Sequence, residues 1–315
     1  FFIDGSKLSK NDEVYLEKKI YQNKSYVFNN DDKCKIKNIN EKKYLDFLNS
    51  TSNFKFKTKV LIDGSNGSVS YFKNKLKLFK KSKLINFKKD GKKINKNCGS
   101  NHFEKNLKNT KYKKFDFSIA YDGDVDRFLV AEKSYGLIET EKVALIFAKF
   151  LANQNKINNI VMTEITNPWL FHELKKLGIK KYISKVGDRN VINKVKKKKS
   201  LFGFETSGHF SFMHSMDGLF ASIIFLKIIN ENPILISNIL KKKINYKKII
   251  FGILPKNVNN IKRHIKKKKI KFLIRKSIWN NYYKLYIFYR VKDLDKLKKL
   301  KKYLFNKFLK IKIKN

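Results

Sequence analysis

The sequence predicts a multidomain α/β fold with mixed sheets, followed at the C-terminal end by a small α+β unit. Three observations carry this reading. Short apolar runs of strand length alternate with amphipathic runs of helix length from Lys59 to Ile229, the pattern of sheets covered by helices. Several of the apolar runs stop at Gly- or Asp-rich turns, as at 64–67, 122–127 and 187–189, which is how strand–turn–helix units are punctuated. After Pro233 the alternation gives way to three strand-like runs and one terminal helix. A chain of 315 residues is long enough for roughly two to four domains.

In order along the chain, helices are expected over 12–22 and 41–49. Asp12 is placed to cap the first, with Val14, Leu16 and Ile20 on its apolar side. Residues 50–57 read as a linker. The run Lys59-Val-Leu-Ile-Asp63 is a short strand leading into Gly64-Ser-Asn-Gly67, and further strands are expected at 115–121 and 128–132. The periodicity predicts a helix over 140–153 and a strand over 159–164. Pro168 and Gly178 bracket a helix, strands follow at 181–184 and 201–204, and another helix follows Arg189. Asp217 and Gly218 open a long helix to Ile229. Beyond it, strands are expected at 249–254, 271–274 and 284–291, and a helix over 293–309.

Hydrophobic residues make up 42% and aromatic residues 14% of the chain, which excludes a disordered composition in spite of a formal charge of +47. Among 73 basic residues only 127, 189, 263, 275 and 290 are Arg; the rest are lysines spread along the chain in runs such as 196–199 and 266–269. A nucleic-acid reader concentrates Arg for bidentate contacts. The charge therefore reads as solvated surface, and no dedicated nucleic-acid partner is expected. No apolar run reaches the roughly 18 residues a membrane helix needs, and no signal-peptide pattern opens the sequence, so no membrane partner is expected. Cys34 and Cys98 offer no disulfide framework and suit a reducing cytoplasm.

The sharpest local signal is Tyr121-Asp-Gly-Asp-Val-Asp-Arg127. Carboxylates at every second residue of an extended loop after a strand can converge on one cation, and hard oxygen donors favour Mg²⁺ over zinc. Gly123 permits a tight turn, and Arg127 can hold a phosphate beside the metal. An EF-hand is excluded, because Arg127 and Lys133 stand where that loop needs Gly and Glu. The alternative is a polar surface turn, which three acids in so basic a chain make less attractive.

This loop resembles the metal loop D-G-D-x-D-R of the α-D-phosphohexomutase family, and it does not stand alone. Gly203-Phe-Glu-Thr-Ser-Gly-His209 is similar to the family's sugar-binding loop, and Asp63-Gly-Ser-Asn-Gly67 to its D-x-A-N-G turn. Lys185-Val-Gly-Asp-Arg189 and Asn97-Cys-Gly-Ser-Asn-His102 resemble segments of the family's phosphoglucosamine branch. The resemblance implies four parts: the tail of a phosphoserine domain (1–50), an α/β domain with the metal loop (51–140), an α/β domain with the sugar loop (141–245), and a C-terminal α+β phosphate-binding domain (246–315). It also implies interconversion of hexosamine 6-phosphate and 1-phosphate through a phosphoserine and a bisphosphate. Asp122, Asp124 and Asp126 would hold Mg²⁺, and Arg127 would stabilise the phosphoryl oxygens. Glu205, Ser207 and Gly208 would meet the sugar. Lys185, Asp188, Arg189 and His209 would line the cleft for proton transfer or phosphate contact. For His209 the alternative is a satisfied loop histidine. A structural role is expected for residues 97–102.

Two departures from the family pattern accompany the match. The phosphoserine loop S-A-S-H-N-P has no counterpart, and the opening Phe1-Phe-Ile-Asp-Gly-Ser-Lys-Leu resembles the stretch that follows it. The expectation is a chain lacking its N-terminal part and inactive by itself. In the C-terminal phosphate clamp R-K-S-G-T-E-P, Arg275-Lys-Ser277 are kept as phosphate-binding candidates, but Ile278-Trp-Asn-Asn281 replaces the rest. The other readings are a mutase of mannose or glucose phosphates and a non-catalytic polyanion-binding derivative. The resemblance implies a cytoplasmic monomer or homodimer acting on a hexosamine phosphate.

Overall fold

Two helices precede the first sheet, α1 (Lys10–Gln22) and α2 (Lys42–Thr51), in a computed structural model that describes residues 8, 10–22, 41–212, 215–267, 270–276 and 282–308. The chain divides into two compact units, Phe1–Tyr44 and Leu45–Asn315. Asp12 is not a cap: α1 begins at Lys10, and Asp12 lies with Glu13 in its first turn, where acids suit the helix dipole.

The first sheet has five strands in the order β2-β1-β3-β4-β5. These are β1 (Val60–Asp63), β2 (Lys83–Ile85), β3 (Phe117–Tyr121), β4 (Phe128–Glu132) and β5 (Gly136–Leu137). The short helices α3 (Lys77–Lys80) and α4 (Phe103–Asn106) lie in its connections. Strands β1 and β3 are buried at every residue, and β1 pairs in parallel with both β2 and β3. That environment explains why these runs are continuously apolar and do not alternate. Strands β3 and β4 form an antiparallel pair, with Tyr121 opposite Phe128, so the aspartate loop is the hairpin connection between them.

The second sheet, in the order β10-β9-β8-β6-β7, contains β6 (Asn159–Thr163), β7 (Lys180–Ser184), β8 (Phe202–Phe204), β9 (Phe210–Phe212) and β10 (Ser215–Met216). Its helices are α5 (Thr140–Asn153), α6 (Pro168–Lys176), α7 (Asp188–Lys197), α8 (Gly218–Glu231) and α9 (Pro233–Leu240). The β8–β9 pair is also an antiparallel hairpin, so the loop containing Glu205 to His209 is built like the aspartate loop. The third sheet is antiparallel, β11-β13-β12, from β11 (Tyr246–Ile253), β12 (Lys271–Lys276) and β13 (Tyr283–Arg290), with α10 (Val258–Lys267) and α11 (Leu294–Phe308) packed on it. Helix α10 was not expected. Its apolar contacts are Ile261 and Ile265, four residues apart on one helical face, inside a Lys-rich stretch that hides the period.

A cluster of phenylalanines joins the first two sheets. The Phe128 ring of β4 lies 5.1 Å from Phe210 of β9, 6.4 Å from Phe147 of α5 and 6.3 Å from Phe225 of α8. Phe147 and Phe210 meet edge to face at 5.3 Å. Each buried ring stabilises the fold by about 1.5–3 kcal/mol, and each favourable ring pair adds about 0.5–1.5 kcal/mol. Phe128 follows Arg127 and Phe210 follows His209, so this apolar packing sets two polar hairpin tips side by side. Among the described residues no single helix is long and apolar enough to cross a membrane.

Candidate functional site

The aspartate loop rests on the Gly-rich turn after β1. The Ser65 hydroxyl donates to the Asp122 carbonyl at 2.8 Å, and the Ser68 amide donates to the Gly123 carbonyl at 2.8 Å. A Cβ at Gly67 would stand 2.3 Å from that same carbonyl oxygen, so only glycine allows the approach. Asp63 organises the turn from beneath. It is fully buried, and its carboxylate accepts from the Ser65 amide (3.0 Å), the Asn86 side chain (2.9 Å), the Gly99 amide (3.1 Å) and the Tyr112 hydroxyl (3.4 Å). Residues 97–102 thus enter as a brace, with Gly99 in the left-handed region at φ +69° and pressed against Ser65 and the Tyr121 carbonyl. The sequence pattern gives Asp63 a place before the Gly-rich turn but no role of its own. Its one signal is a charged residue ending an apolar strand.

The far side of the loop is held by α8. The Gly218 amide donates to the Val125 carbonyl at 2.9 Å. A Cβ at Gly218 would lie 2.8 Å from that oxygen and from the Arg127 backbone. Asp217 caps the helix by accepting from the Phe220 amide at 2.8 Å.

Within this mount, Asp122, Asp124 and Asp126 each offer an oxygen, and the three oxygens lie within 4.8 Å of one another. Asp122 is buried, Asp126 partly so and Asp124 exposed. The Arg127 Nε donates to Asp122 at 2.6 Å and stands 3.8 Å from Asp126. Burial raises the Asp122 pKa, and the neighbouring acids add to this, outweighing the opposing effect of Arg127.

The second hairpin meets the first directly. Arg127 and His209 form an antiparallel bridge, and the Phe128 amide donates to the Gly208 carbonyl at 3.2 Å. Gly208 has φ +99°, and a Cβ there would stand 2.9 Å from the Phe128 carbonyl oxygen. His209 Nε2 lies 3.2 Å from Asp126, and its Nδ1 lies 3.3 Å from Glu205 and 2.8 Å from the Ser207 hydroxyl. Burial disfavours the imidazolium, but the hydrogen bonds and charges of Asp126 and Glu205 prevail and push the His209 pKa up to about 9. Burial likewise opposes ionisation of Asp126, yet His209 and Arg127 hold its carboxyl below its ordinary value. Glu205 also accepts from the Gly187 amide at 2.6 Å, which draws the turn before α7 to the same place.

A family model for the α/β/α domain III of phosphoglucomutase/phosphomannomutase matches residues 139–246. The phosphoglucosamine mutase of Caldicellulosiruptor saccharolyticus is 36% identical over 201 residues, covering 61% of this chain and 45% of that protein. The one from Clostridium kluyveri is 34% identical over 237 residues, covering 73% of this chain and 51% of that protein. Residues 139–246 thus carry a domain of the phosphoglucomutase/phosphomannomutase family. The chain spans about half the length of the curated relatives it matches. Solved structures share the fold. A phosphoglucomutase/phosphomannomutase family protein from Burkholderia thailandensis superposes with a TM-score of 0.68 at 18% identity, covering 83% of this chain and 63% of the other. An Aspergillus fumigatus N-acetylphosphoglucosamine mutase, solved in complex with GlcNAc-6P and magnesium, superposes at 0.62 and 14% identity, covering 78% and 61%.

The candidates named from the sequence fall into three groups. Asp122, Asp124, Asp126, Arg127, Glu205, Ser207, Gly208 and His209 come together across the two hairpins. Lys185, Asp188 and Arg189 flank the turn that reaches Glu205: Lys185 is exposed, and the Asp188 side chain accepts from the Arg189 amide at 2.7 Å at the start of α7. Arg275 stands on β12 of the third sheet, where it hydrogen-bonds Tyr286. Ser277 and the 278–281 segment lie outside the described residues. The aspartate cluster fits a metal site. Its donors are all hard oxygens, they converge, and one is buried beside like charges that a cation would relieve.

Proposed function

We propose that this chain is part of a phosphoglucosamine mutase, an isomerase that interconverts glucosamine 6-phosphate and glucosamine 1-phosphate through a phosphoserine and a bisphosphate, supplying UDP-N-acetylglucosamine synthesis. The observation that carries the reading is the Arg127–His209 bridge, which sets the carboxylate cluster within hydrogen-bond reach of the Glu205 loop. The names of the relatives and the segments at 97–102 and 185–189 support the glucosamine branch. The four-part division at 1–50, 51–140, 141–245 and 246–315 belongs to the same proposal.

In this reading Asp122, Asp124 and Asp126 hold Mg²⁺, which when bound supplies charge neutralisation to a phosphoryl group. Arg127, oriented by Asp122, presents its remaining guanidinium N–H groups to phosphoryl oxygens. Glu205 and Ser207 accept and donate hydrogen bonds to sugar hydroxyls, and Gly208 lets the backbone approach the ring. His209 holds a proton between Asp126 and Glu205 and so ties the cation site to the sugar site. Lys185, Asp188 and Arg189 line the cleft, and Arg275 and Ser277 take the distal phosphate. Phosphoryl transfer asks for this kind of positioning and electrostatics more than for a strong nucleophile.

Two measurements test it. The 315-residue chain should bind Mn²⁺ or Mg²⁺ in a calorimetric titration, and Asp124→Asn, an exposed change, should weaken binding about tenfold or more. Equal binding by the variant would remove the metal assignment. The full-length gene product should turn over glucosamine phosphate faster than mannose or glucose phosphate; the reverse order would refute the substrate.

A further inference from the structure

Away from the two hairpins, a groove of about 690 Å³ runs between α6, the edge strand β7 and the third sheet. Lys175, Lys181, Lys271, Arg290 and Lys296 line it, and the acid among its lining residues, Asp293, is already 3.5 Å from Lys296. Two of these cations crowd one ring: the Lys271 ammonium lies 4.4 Å and that of Lys181 5.5 Å from the centre of Phe171. Burial lowers the Lys271 pKa, and the Lys181 charge adds to the effect. At the other end the Tyr246 ring stacks on His172, with the Arg290 guanidinium 5.6 Å from its centre and donating to its hydroxyl at 2.9 Å.

A second hollow shares His172, Tyr246 and Arg290 and extends the groove past Lys243 and past Lys242, which is paired with Glu173 at 2.7 Å. A separate cavity of about 510 Å³ beside α9 is lined mainly by apolar groups and has one lysine, Lys241, and one acid, Glu132, in its lining.

Like charges gathered on aromatic walls, with little acid to neutralise them, match a ligand that carries several negative charges and a flat ring. The volume lies within the range of about 300–1,000 Å³ usual for small-molecule sites, which favours one nucleotide over a nucleic-acid strand. We propose that this groove binds a nucleotide, its phosphates held by Lys175, Lys181 and Lys271 beside Phe171 and its base laid against the Tyr246–His172 stack at the other end. None of these residues belongs to the hairpin site, so the proposal stands independently of the mutase reading.

The test titrates the 315-residue chain with ADP, with inorganic pyrophosphate and with a single-stranded oligonucleotide. ADP should bind about tenfold more tightly than pyrophosphate, the share a stacked base contributes. The double variant Lys181→Glu/Lys271→Glu should weaken both by about tenfold or more, and Tyr246→Leu should weaken ADP alone. Circular dichroism checks that each variant folds; both lysines are exposed. Lys113→Glu, at an exposed lysine beside the first sheet, should change neither. Equal affinity for ADP and pyrophosphate would overturn the proposal. So would an equal loss in Lys113→Glu, or an oligonucleotide that outcompetes ADP.

Discussion

Replacing Asp63 by alanine perturbs the support beneath the site without touching the proposed metal ligands. The side chain is wholly buried and accepts four hydrogen bonds, three of them at 2.9–3.1 Å and that from Tyr112 at 3.4 Å. Alanine strands these donors, and each stranded buried donor costs about 1–3 kcal/mol. Part of this is offset because a charge no longer has to be desolvated. The net expectation is about 3–5 kcal/mol, a large share of the roughly 5–15 kcal/mol that holds a domain together. Asparagine keeps one acceptor oxygen but turns an NH₂ toward a donor, so Asp63→Asn should cost about 1–3 kcal/mol. Native-state hydrogen exchange reads this locally, in peptides covering 60–67 and 97–102. Protection there should fall by roughly two to four orders of magnitude in the alanine variant and by less in the asparagine variant. Unchanged protection in Asp63→Ala, or equal loss in both, would refute the view that this carboxylate ties the two segments together.

The remaining predictions concern other supports. Gly208→Ala places a Cβ 2.9 Å from the Phe128 carbonyl oxygen at φ +99°, so thermal melting should show a loss of about 2 kcal/mol or more; a neutral result would mean that the hairpins are free to separate. Lys142 is buried and donates to the Tyr135 hydroxyl and the Leu240 carbonyl, at 2.7 and 2.8 Å. Lys142→Met should therefore destabilise the fold by about 1–2 kcal/mol in urea melts despite its apolar match; a gain in stability would sink that account. Burial and the Asp63 charge push the Cys98 thiol pKa up, so Cys98 should resist thiol reagents at pH 7 until the chain is unfolded, as peptide mass mapping would show.

Much of the fold was legible because apolar runs bounded by Gly, Pro and Asp mark elements wherever one side of each is buried. The helices Thr140–Asn153 and Gly218–Glu231 and the strand Phe128–Glu132 sit at or within two residues of where periodicity puts them. Helix Val258–Lys267 escaped because two isoleucines carry its whole buried face among lysines. The antiparallel pairing of β9 with β10 escaped because Ser211 and Ser215 break up its short apolar runs. At the site, residue types and spacing were enough to mark Asp122, Asp124, Asp126, Glu205 and His209, since carboxylates alternating in a loop are unusual in so basic a chain.

The sequence by itself determined which side chains are candidates for the chemistry, because their identity and local spacing are properties of short segments. Tertiary structure alone decided that the two loops meet. Arg127 and His209 are brought together by Phe128 packing on Phe210, a contact between strands of different sheets. It also decided that Asp63 is a brace and that Phe171 lies under two lysines, one from β7 and one from β12. These are relations between segments far apart in the chain, and no local pattern encodes them, since they arise only when apolar faces are buried against one another.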